Sequence, residues 1–311
     1  MKTSQKWACH FCDTKGGVTI FIQQLINGLS IGSVYALMAV GYSLIYSLLN
    51  FTNFAHAIAV TVGAYTSFFL FTLFSPNLIA GFFVALLSGA AVSVLIEIVV
   101  YRHMLIKNNK RLYLMIAGLG LSMVAENLFI IFISSISQFF PNELTNMGTI
   151  ELFGNHIGKI DLLILGMSIG TMVLLQAYIS LTKDGLAIRS AAKSLEYSSL
   201  MGVNPDALLM KVFVIAGMLA GVAGLFMGIK YTAYPTLGSV MTNKAFVAAV
   251  LGGLGSLPGA IVGAFILGIL EVMVTGYVSS ALRDMIAYGV LILVLIVRPS
   301  GLMGKSSEDK A

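Results

Sequence analysis

Polar and ionisable side chains inside otherwise apolar runs are the first candidates for chemistry in this sequence. Glu126 stands beside Asn127 in the middle of one such run, and Glu271 lies deep in another. Groups of this kind are costly in an apolar environment, so they usually face the interior of a helix bundle or a cavity. Two roles stay open for these residues: hydrogen bonds between helices, with a protonated carboxyl, or the lining of a polar path.

A second polar patch, Asn53-Phe54-Ala55-His56, follows the first long apolar run. Polar residues between apolar stretches often mark an interrupted helix near a path through the membrane. The alternative is a simple cap at the start of the next helix. Asn53 and His56 therefore join Glu126, Asn127 and Glu271 as path candidates.

Residue patterns typical of enzymes and cofactor sites are missing from the sequence. No carboxylate pair, nucleophile–base pair or HExxH helix is present, which disfavours a membrane-embedded enzyme. Cys9 and Cys12 supply only two thiols, too few for a zinc site. Gly304-Lys305-Ser306 resembles the end of a phosphate-binding loop, but proline occupies the position of the loop's first glycine. The chain is therefore expected to bind no cofactor and no nucleotide of its own.

Composition defines the elements that must position these residues. Hydrophobic residues make up 58% of the 311-residue chain and charged residues only 10%, and the mean hydropathy is +0.94. Soluble domains carry about 25% charged residues, so the bilayer is the expected solvent. Strand-like alternation is absent, which predicts an all-α, polytopic transmembrane bundle. Apolar runs of spanning length, about 20 residues, lie at about 20–49, 53–74, 78–101, 112–134, 161–181, 209–230, 244–278 and 285–298.

The number of spans and the topology follow from run lengths and charge. The first run is long enough to hold a break, so eight to ten spans are expected. Lys and Arg crowd the segments at 102–111, 183–211 and after 298, which predicts that these segments are cytoplasmic. The acidic segment 134–161 is expected outside. The side of the N-terminus stays open, because three spans before Arg102 place it outside while Lys2, Lys6 and Lys15 favour inside.

The segment from Lys183 to Lys211 carries seven of the 31 charges of the chain. Asp184 can cap a helix that Gly202 ends, and Pro205 prevents its continuation. The pattern predicts one short amphipathic cytoplasmic helix with Ile188, Ala191, Ala192 and Leu195 on one face, and Arg189, Lys193 and Glu196 on another. A helix of this kind between two spans is expected to contact another protein.

Glycine spacing predicts two further features. Pairs four residues apart, as in Gly217/Gly221 and Gly224/Gly228, indicate close helix packing in lipid. The stretch GGLGSLPGA at 252–260 interrupts an apolar run, which predicts a tight turn or a broken helix between two short spans.

With these segments in view, the chain resembles the LivH-type permeases of bacterial branched-chain amino-acid ABC importers. The likeness runs from about Phe21 to Lys305 and rests on QQLINGLSIGSVYALMAVGYSLIY (23–46), NFAH (53–56), GVNPD (202–206), FVAAVLGGLGSLPGAIVGAFILGILE (246–271) and RPSGLMG (298–304). It implies a permease domain at 21–305, flanked by an N-terminal extension at 1–20 and a tail at 306–311. It also implies a multi-pass protein of the bacterial inner membrane.

The resemblance further implies partners and a role for the charged loop. Family members work with a second permease, two cytoplasmic ATPase subunits that bind the ATP, and a solute-binding protein outside. The loop at 182–208 would seat in a groove of the ATPase through Ile188, Arg189, Ala191, Ala192, Lys193, Leu195, Glu196, Leu200 and Gly202. The solute stays open between a branched-chain amino acid and another small polar molecule such as urea or a short amide. The alternative function is a secondary transporter that uses Glu126 or Glu271 as a proton site.

Overall fold

Helices make up almost all of the computed structural model, which describes residues 14–74, 77–107, 110–145, 148–152 and 155–304. In chain order the helices are α1 (Thr14–Leu49), α2 (His56–Leu73), α3 (Leu78–Ile96), α4 (Arg102–Ile106), α5 (Arg111–Phe132), α6 (Asn142–Thr145), α7 (Lys159–Leu181), α8 (Lys183–Ala191), α9 (Leu195–Leu200), α10 (Pro205–Lys230), α11 (Leu237–Gly252), α12 (Leu257–Tyr277) and α13 (Arg283–Val297). A π-helical turn, Glu97–Tyr101, joins α3 to α4, and a 3-10 turn, Ser280–Leu282, precedes α13. One antiparallel hairpin pairs β1 (Thr149–Leu152) with β2 (Asn155–Gly158). The Cys9–Cys12 pair and the tail at 306–311 lie outside the described residues.

The predicted helical, polytopic architecture is confirmed. Within the described residues, eight helical segments are long and apolar enough to cross a membrane, and α11 is a shorter apolar helix. The run at 244–278 is divided as predicted, because α11 ends at Gly252 and α12 begins at Leu257. Gly253 and Gly255 adopt φ values of +110° and +85°, a backbone conformation that favours glycine. The GGLGSLPGA stretch is therefore a tight turn between two helices.

The expected break in the first apolar run is wrong. Helix α1 continues for 36 residues from Thr14 to Leu49. The stretch contains no proline, and Gly28 and Gly32 face the backbone of α12, where an added Cβ would lie within 3.0 Å of a Cα atom. These glycines allow close packing and leave the helical hydrogen bonds intact. Three helices, α1, α2 and α3, thus precede Arg102. This is the number of spans expected when the first apolar run holds no break.

Helix α10 is the central element of the bundle. Its small residues face α2 and α3 so closely that a Cβ on Gly221 would lie 2.0 Å from the carbonyl oxygen of Ala85. From the other side, a Cβ on Gly63 would lie 2.4 Å from the carbonyl oxygen of Gly221. Such contacts between backbones are how helices associate in lipid, where apolar burial gives little drive. The glycine pairs Gly217/Gly221 and Gly224/Gly228 therefore lie on a packing surface, as their spacing predicts.

The two ends of the bundle carry different charges. Arg102 pairs with Asp206 across 3.6 Å where α4 and α10 begin, next to α8 and α9, and this end is called the basic end below. The hairpin, α6 and the start of α7 lie at the opposite end, where Gln138 forms a β-bridge with Ala233. Helix α1 starts at the opposite end and finishes at the basic end, since Ser30 bonds Asp161 while Gly255 faces Ser47. The basic loops and the acidic segment 134–161 thus lie at opposite ends of the bundle, as the charge pattern predicts.

A substitution of Gly221 by alanine tests the packing role of the α10 small face. Overpacking at this site is expected to cost about 1–3 kcal/mol and to lower the thermal unfolding temperature of the protein in detergent or nanodiscs. The matched control is Gly166→Ala on α7, where an added Cβ meets no atom within 4 Å among the described residues. Equal unfolding temperatures for the two variants would contradict the packing role.

Candidate functional site

Helix α2 begins inside the bundle instead of at its end. Its first residue, His56, lies beside Gly41 and Ala216, and Ala216 is the twelfth residue of the 26-residue α10. At 1.5 Å per residue, that position lies about 18 Å along the helix, close to its middle. The segment between α1 and α2 therefore turns back from the basic end into the interior, as an interrupted helix would.

The polar side chains of this segment are buried. The hydroxyl of Tyr101 donates a hydrogen bond of 2.6 Å to Oδ1 of Asn53, which ties the segment to the π-helical turn after α3. Asn53 and His56 are only 4% and 1% exposed. Neither ring nitrogen of His56 finds a hydrogen-bond partner among the described residues, and Tyr42 packs edge-on with ring centroids 6.4 Å away. Asn53 is therefore positioned by a specific bond, while His56 keeps free hydrogen-bonding capacity.

Helix α11 also begins inside the bundle, against the first turns of α2. The backbone N–H of Gly238 donates to Oγ1 of Thr61 across 3.1 Å. A Cβ on Gly238 would lie 2.0 Å from the carbonyl oxygen of Ala57, so only glycine fits there. Two helix N-termini thus meet in the interior, and we call their meeting point the helix junction, defined by residues 53–61 and 236–239.

Glu126 reaches this helix junction from α5. The hydroxyl of Ser239 donates a hydrogen bond to Oε1 of Glu126. The surrounding space is lined by Ala57, Ile58, Thr61, Ser122, Ala125 and Phe129. A carboxylate near the start of α11 also suits the partial positive charge of a helix N-terminus. Asn127, its sequence neighbour, lies on the exposed side of α5 and donates only to the carbonyl of Met123, so the structure does not bring it to the junction.

Glu271 belongs to a separate cluster of charges. The Lys244 ammonium on α11 forms an ion pair with Oε1 of Glu271, and the Tyr35 hydroxyl donates to Oε2 across 2.9 Å. Lys244 also binds Asp284 across 2.8 Å, and Arg283 binds Asp284 across 3.3 Å. The cluster joins α1, α11, α12 and α13 away from Asn53, His56 and Glu126. Glu271 is therefore held by a fixed cation and does not share a site with the other path candidates.

Sequence reasoning missed Lys244 and a second buried ion pair. Lys230 binds Asp161, and the hydroxyl of Ser30 donates to Asp161 across 3.0 Å, which joins α1, α7 and α10 near the opposite end. A signal for Lys244 was present, because a lysine at the start of an apolar run needs a carboxylate partner in the membrane. The signal for Lys230 was weaker, since it stands at the end of a span where its side chain could reach water.

The charged loop forms two short helices where one was expected. Thr182, instead of Asp184, caps α8 by accepting a hydrogen bond from the N–H of Gly185 across 3.0 Å. Helix α8 ends at Ala191, and Ser194 caps α9, so the predicted single helix is wrong. The end at Gly202 is confirmed, with φ of +88°. Pro205 is the first residue of α10, which agrees with the prediction that it prevents the preceding helix from continuing.

Asp184 fixes the loop to the bundle. Lys211 Nζ donates to its Oδ1 across 2.7 Å and the Tyr178 hydroxyl donates to its Oδ2 across 3.0 Å. These donors, Lys211 first, lower the pKa of the Asp184 carboxyl below its usual range. The carboxylate is therefore ionised at neutral pH and binds the start of α8 to the end of α7 and to α10.

The two faces of the loop differ from the expectation. Ile188 and Ala191 pack into the bundle core, so they hold the loop in place and are not available to another protein. Leu195 is half-buried against the same core. The exposed docking candidates are Ala192, Arg189, Lys193, Leu200 and Gly202, and the side chain of Glu196 lies outside the described residues.

Three large exposed side chains of the loop escaped the sequence reasoning. Tyr197 is 72% exposed, Met201 is 88% exposed, and Leu186 is exposed on the neighbouring helix. A groove of about 590 Å³ between α8 and α9 is lined by these residues together with Arg189 and Lys193. The missed signal was the break at Lys193-Ser194, which rotates α9 relative to α8. The loop thus presents an apolar groove with a basic rim.

The fold and these sites define a class of protein. Eight apolar helices, two helices that start in the interior, and a positioned loop at one end are the parts of a polytopic membrane transport protein.

Comparison with known proteins identifies the family. The model of the family described as "Branched-chain amino acid transport system / permease component" matches residues 24–295. The chain is similar to the LivH permease proteins of high-affinity branched-chain amino acid transport systems. It is 34% identical to LivH of Salmonella typhimurium and 35% identical to LivH of Escherichia coli, over 302 residues in both cases. Each alignment covers 93% of this chain and 97% of the relative. The BraD permease protein of Pseudomonas aeruginosa is 33% identical, with 93% and 98% coverage.

The chain belongs to this family of transport permeases. It is a multi-pass protein of the inner membrane and a permease component of the ABC-importer type, and the family is one of transporters and not of enzymes. The resemblance found in the sequence motifs is confirmed.

Removal of the Tyr101 hydroxyl tests the bond that positions Asn53. Tyr101→Phe keeps the ring contacts with Phe51 and Phe213 but leaves the buried Asn53 acceptor without its donor. We expect a loss of about 1–3 kcal/mol in stability and reduced transport. Tyr65→Phe is the matched control, because the buried Tyr65 hydroxyl has no hydrogen-bond partner among the described residues. Thermal unfolding that does not distinguish the two variants would refute the positioning role.

Proposed function

We propose that this chain moves a branched-chain amino acid, or a similar small polar solute, into the cytoplasm as one subunit of an assembly powered by ATP in other subunits. The solute class comes from the names of the relatives, which are permease proteins of branched-chain amino acid transport systems. The observation that supports ATP in other subunits as the energy source is the apolar groove with a basic rim on the α8–α9 loop. The sequence offers no phosphate-binding loop, so the energy must enter through a surface of this kind.

The proposed orientation places the basic end in the cytoplasm. Lys and Arg residues of short loops stay on the cytoplasmic side, and Arg102, Arg189 and Lys193 all lie at the basic end. With this orientation α1 starts outside and α13 finishes inside. The hairpin at the opposite end then faces a solute-binding protein outside.

The proposed docking surface consists of the groove and its rim. Tyr197 and Met201 of the groove, with Leu200 next to Met201 in the sequence, supply exposed apolar anchors of the kind that dominate binding energy at interfaces. Arg189 and Lys193 supply charges that steer association and make it sensitive to salt. One ATPase subunit would bind this surface, and a second ATPase subunit would bind the second permease. The two ATPase subunits would bind the ATP.

The proposed solute path runs past the helix junction. Asn53, His56 and Glu126 lie there, where helix N-termini and unsatisfied polar groups can exchange hydrogen bonds with a solute. Glu271 is a poor path residue, because Lys244 and Tyr35 already occupy both of its carboxylate oxygens. The ion-coupled alternative accordingly depends on Glu126.

Reconstitution separates the ATP-driven function from the ion-coupled one. Proteoliposomes that contain this permease, a second permease and the ATPases, supplied with the solute-binding protein, should take up labelled leucine only when ATP is present. The control contains an ATPase variant that binds ATP without hydrolysing it. Leucine uptake by the permease alone under a pH gradient, without ATP, would contradict the proposal and support the secondary transporter.

A charge in the loop groove tests the docking surface. Met201→Asp places a carboxylate on an apolar anchor that lines the groove and is 88% exposed, so the fold should tolerate it. Loss of such an anchor is expected to weaken ATPase co-purification and leucine uptake by at least about tenfold. The matched control is Ile106→Asp, which changes a residue that is 74% exposed at the same end but outside the groove. Full ATPase binding by Met201→Asp would refute the docking surface.

A further inference from the structure

Glu126 differs from most carboxylates of the long helices in forming no ion pair with a described residue. Asp161 pairs with Lys230, Glu271 with Lys244, and Asp206 with Arg102. Among the described residues, the one side chain bonded to Glu126 is the neutral hydroxyl of Ser239. An unpaired carboxylate inside a membrane protein is costly and usually marks a functional site. The missing cation is the first observation that needs an explanation.

Glu97 provides a contrast within the same chain. It also forms no ion pair with a described residue, but it is only 1% exposed and its Oε2 atom is enclosed without a partner. In this structure the packed helices enclose it. Glu126 is half-buried, and its second oxygen is not among the enclosed atoms without a partner. Of these two glutamates, only Glu126 combines an unpaired carboxylate with access.

The surface beside Glu126 is polar where lipid would require apolar groups. Thr236, Ser239 and Asn243 follow one another at the three- and four-residue spacing of one helix face on α11, with Thr236 and Asn243 exposed and Ser239 half-buried. This face starts at the helix junction, inside the bundle. Polar side chains at membrane depth face water or another protein, because acyl chains cannot satisfy them. Glu126 therefore stands at the edge of a surface that water or solute can reach.

From these observations we propose that Glu126 is a specificity-determining residue that binds the ammonium group of the solute at the helix junction. This inference rests on the proposed function, since it concerns the solute of the same path. Ser239 occupies Oε1 and leaves Oε2 to accept a hydrogen bond from an ammonium. An ammonium is a donor with no acceptor capacity, which matches a carboxylate and excludes urea and neutral amides from equal binding. The site selects amines and amino acids over uncharged solutes of the same size.

Chemical labelling of Glu126 in the assembled importer tests ligand contact directly. In nanodiscs, dicyclohexylcarbodiimide should modify Glu126, and peptide mass spectrometry would quantify the product. The probes are 3-methylbutylamine, which carries an ammonium, and 4-methylpentanoate, which has a similar tail and a carboxylate. We expect the amine to reduce labelling at least about fivefold, in line with a charge-assisted hydrogen bond, and the acid to have no effect. Equal protection by both probes, no protection by the amine, or a Glu126 that is never labelled would overturn the proposal.

Transport by substituted importers gives a second measurement. Glu126→Gln keeps the bond to Ser239 and removes the charge, so the maximal rate of leucine uptake at saturating binding protein should fall about tenfold. Glu126→Asp keeps the charge and should restore most of the rate. Both variants should unfold at the wild-type temperature and retain their ATPases, which excludes a merely structural effect.

The outcomes of these experiments separate the two proposals. Wild-type leucine uptake with an equal rate for Glu126→Gln overturns the role of Glu126 and leaves the proposed function intact. Absence of ATP-driven leucine uptake by the wild type contradicts the proposed function itself. A Glu126→Asp variant as slow as Glu126→Gln would show that charge is not what the site requires, and would also refute the inference.

Discussion

The need to satisfy every backbone polar group without water governs this structure. A helix that begins at the membrane surface leaves its first N–H groups to water, but α2 and α11 begin inside the bundle, where water is scarce. The structure meets the requirement with neighbouring side chains and turns: Thr61 accepts from the N–H of Gly238, and the first amides of α2 bond back to residues 53–55. The helix junction therefore depends on α2, α11 and residues 53–55, which supply one another's hydrogen-bond partners.

Close approach of backbones makes this exchange possible. A side chain at Gly238 would displace α11 from Ala57, and a side chain at Gly221 would separate α10 from α2 and α3. The glycines are thus part of the same constraint as the hydrogen bonds, because a bond of about 3 Å cannot form between helices held apart by larger side chains. Buried ion pairs, such as Lys244 with Glu271, then fix the outer helices to this centre.

The sequence predicted well what depends on local pattern. Apolar run lengths give the spans, and glycine with proline gives the turn at 252–260, since both follow from the neighbouring residues alone. It predicted poorly what depends on which faces meet. The pairing of Lys244 with Glu271 and Asp284 requires α11, α12 and α13 to be placed together, and the burial of Ile188 requires α8 to lie on the bundle. The break at Lys193-Ser194 was local, but a serine can either continue a helix or cap a new one.

The candidate docking surface and the helix junction are linked through few elements. Asp184 binds Lys211 on α10, and Arg102 binds Asp206 at the start of α10, so the loop and the end of α3 are both fixed to that helix. The residue just before Arg102, Tyr101, binds Asn53 at the entrance to α2. Tyr101 is the last residue of the π-helical turn Glu97–Tyr101, and such turns carry an extra residue that regular helix packing does not use. A displacement of α8 and α9 by a bound protein must therefore act on α10 and on the α3–α4 segment together, and both contact the helix junction. Helix α11 contacts this route through α2 and through the Phe54–Phe246 ring contact, so a displacement of the route would reach the bond between Gly238 and Thr61, next to Glu126.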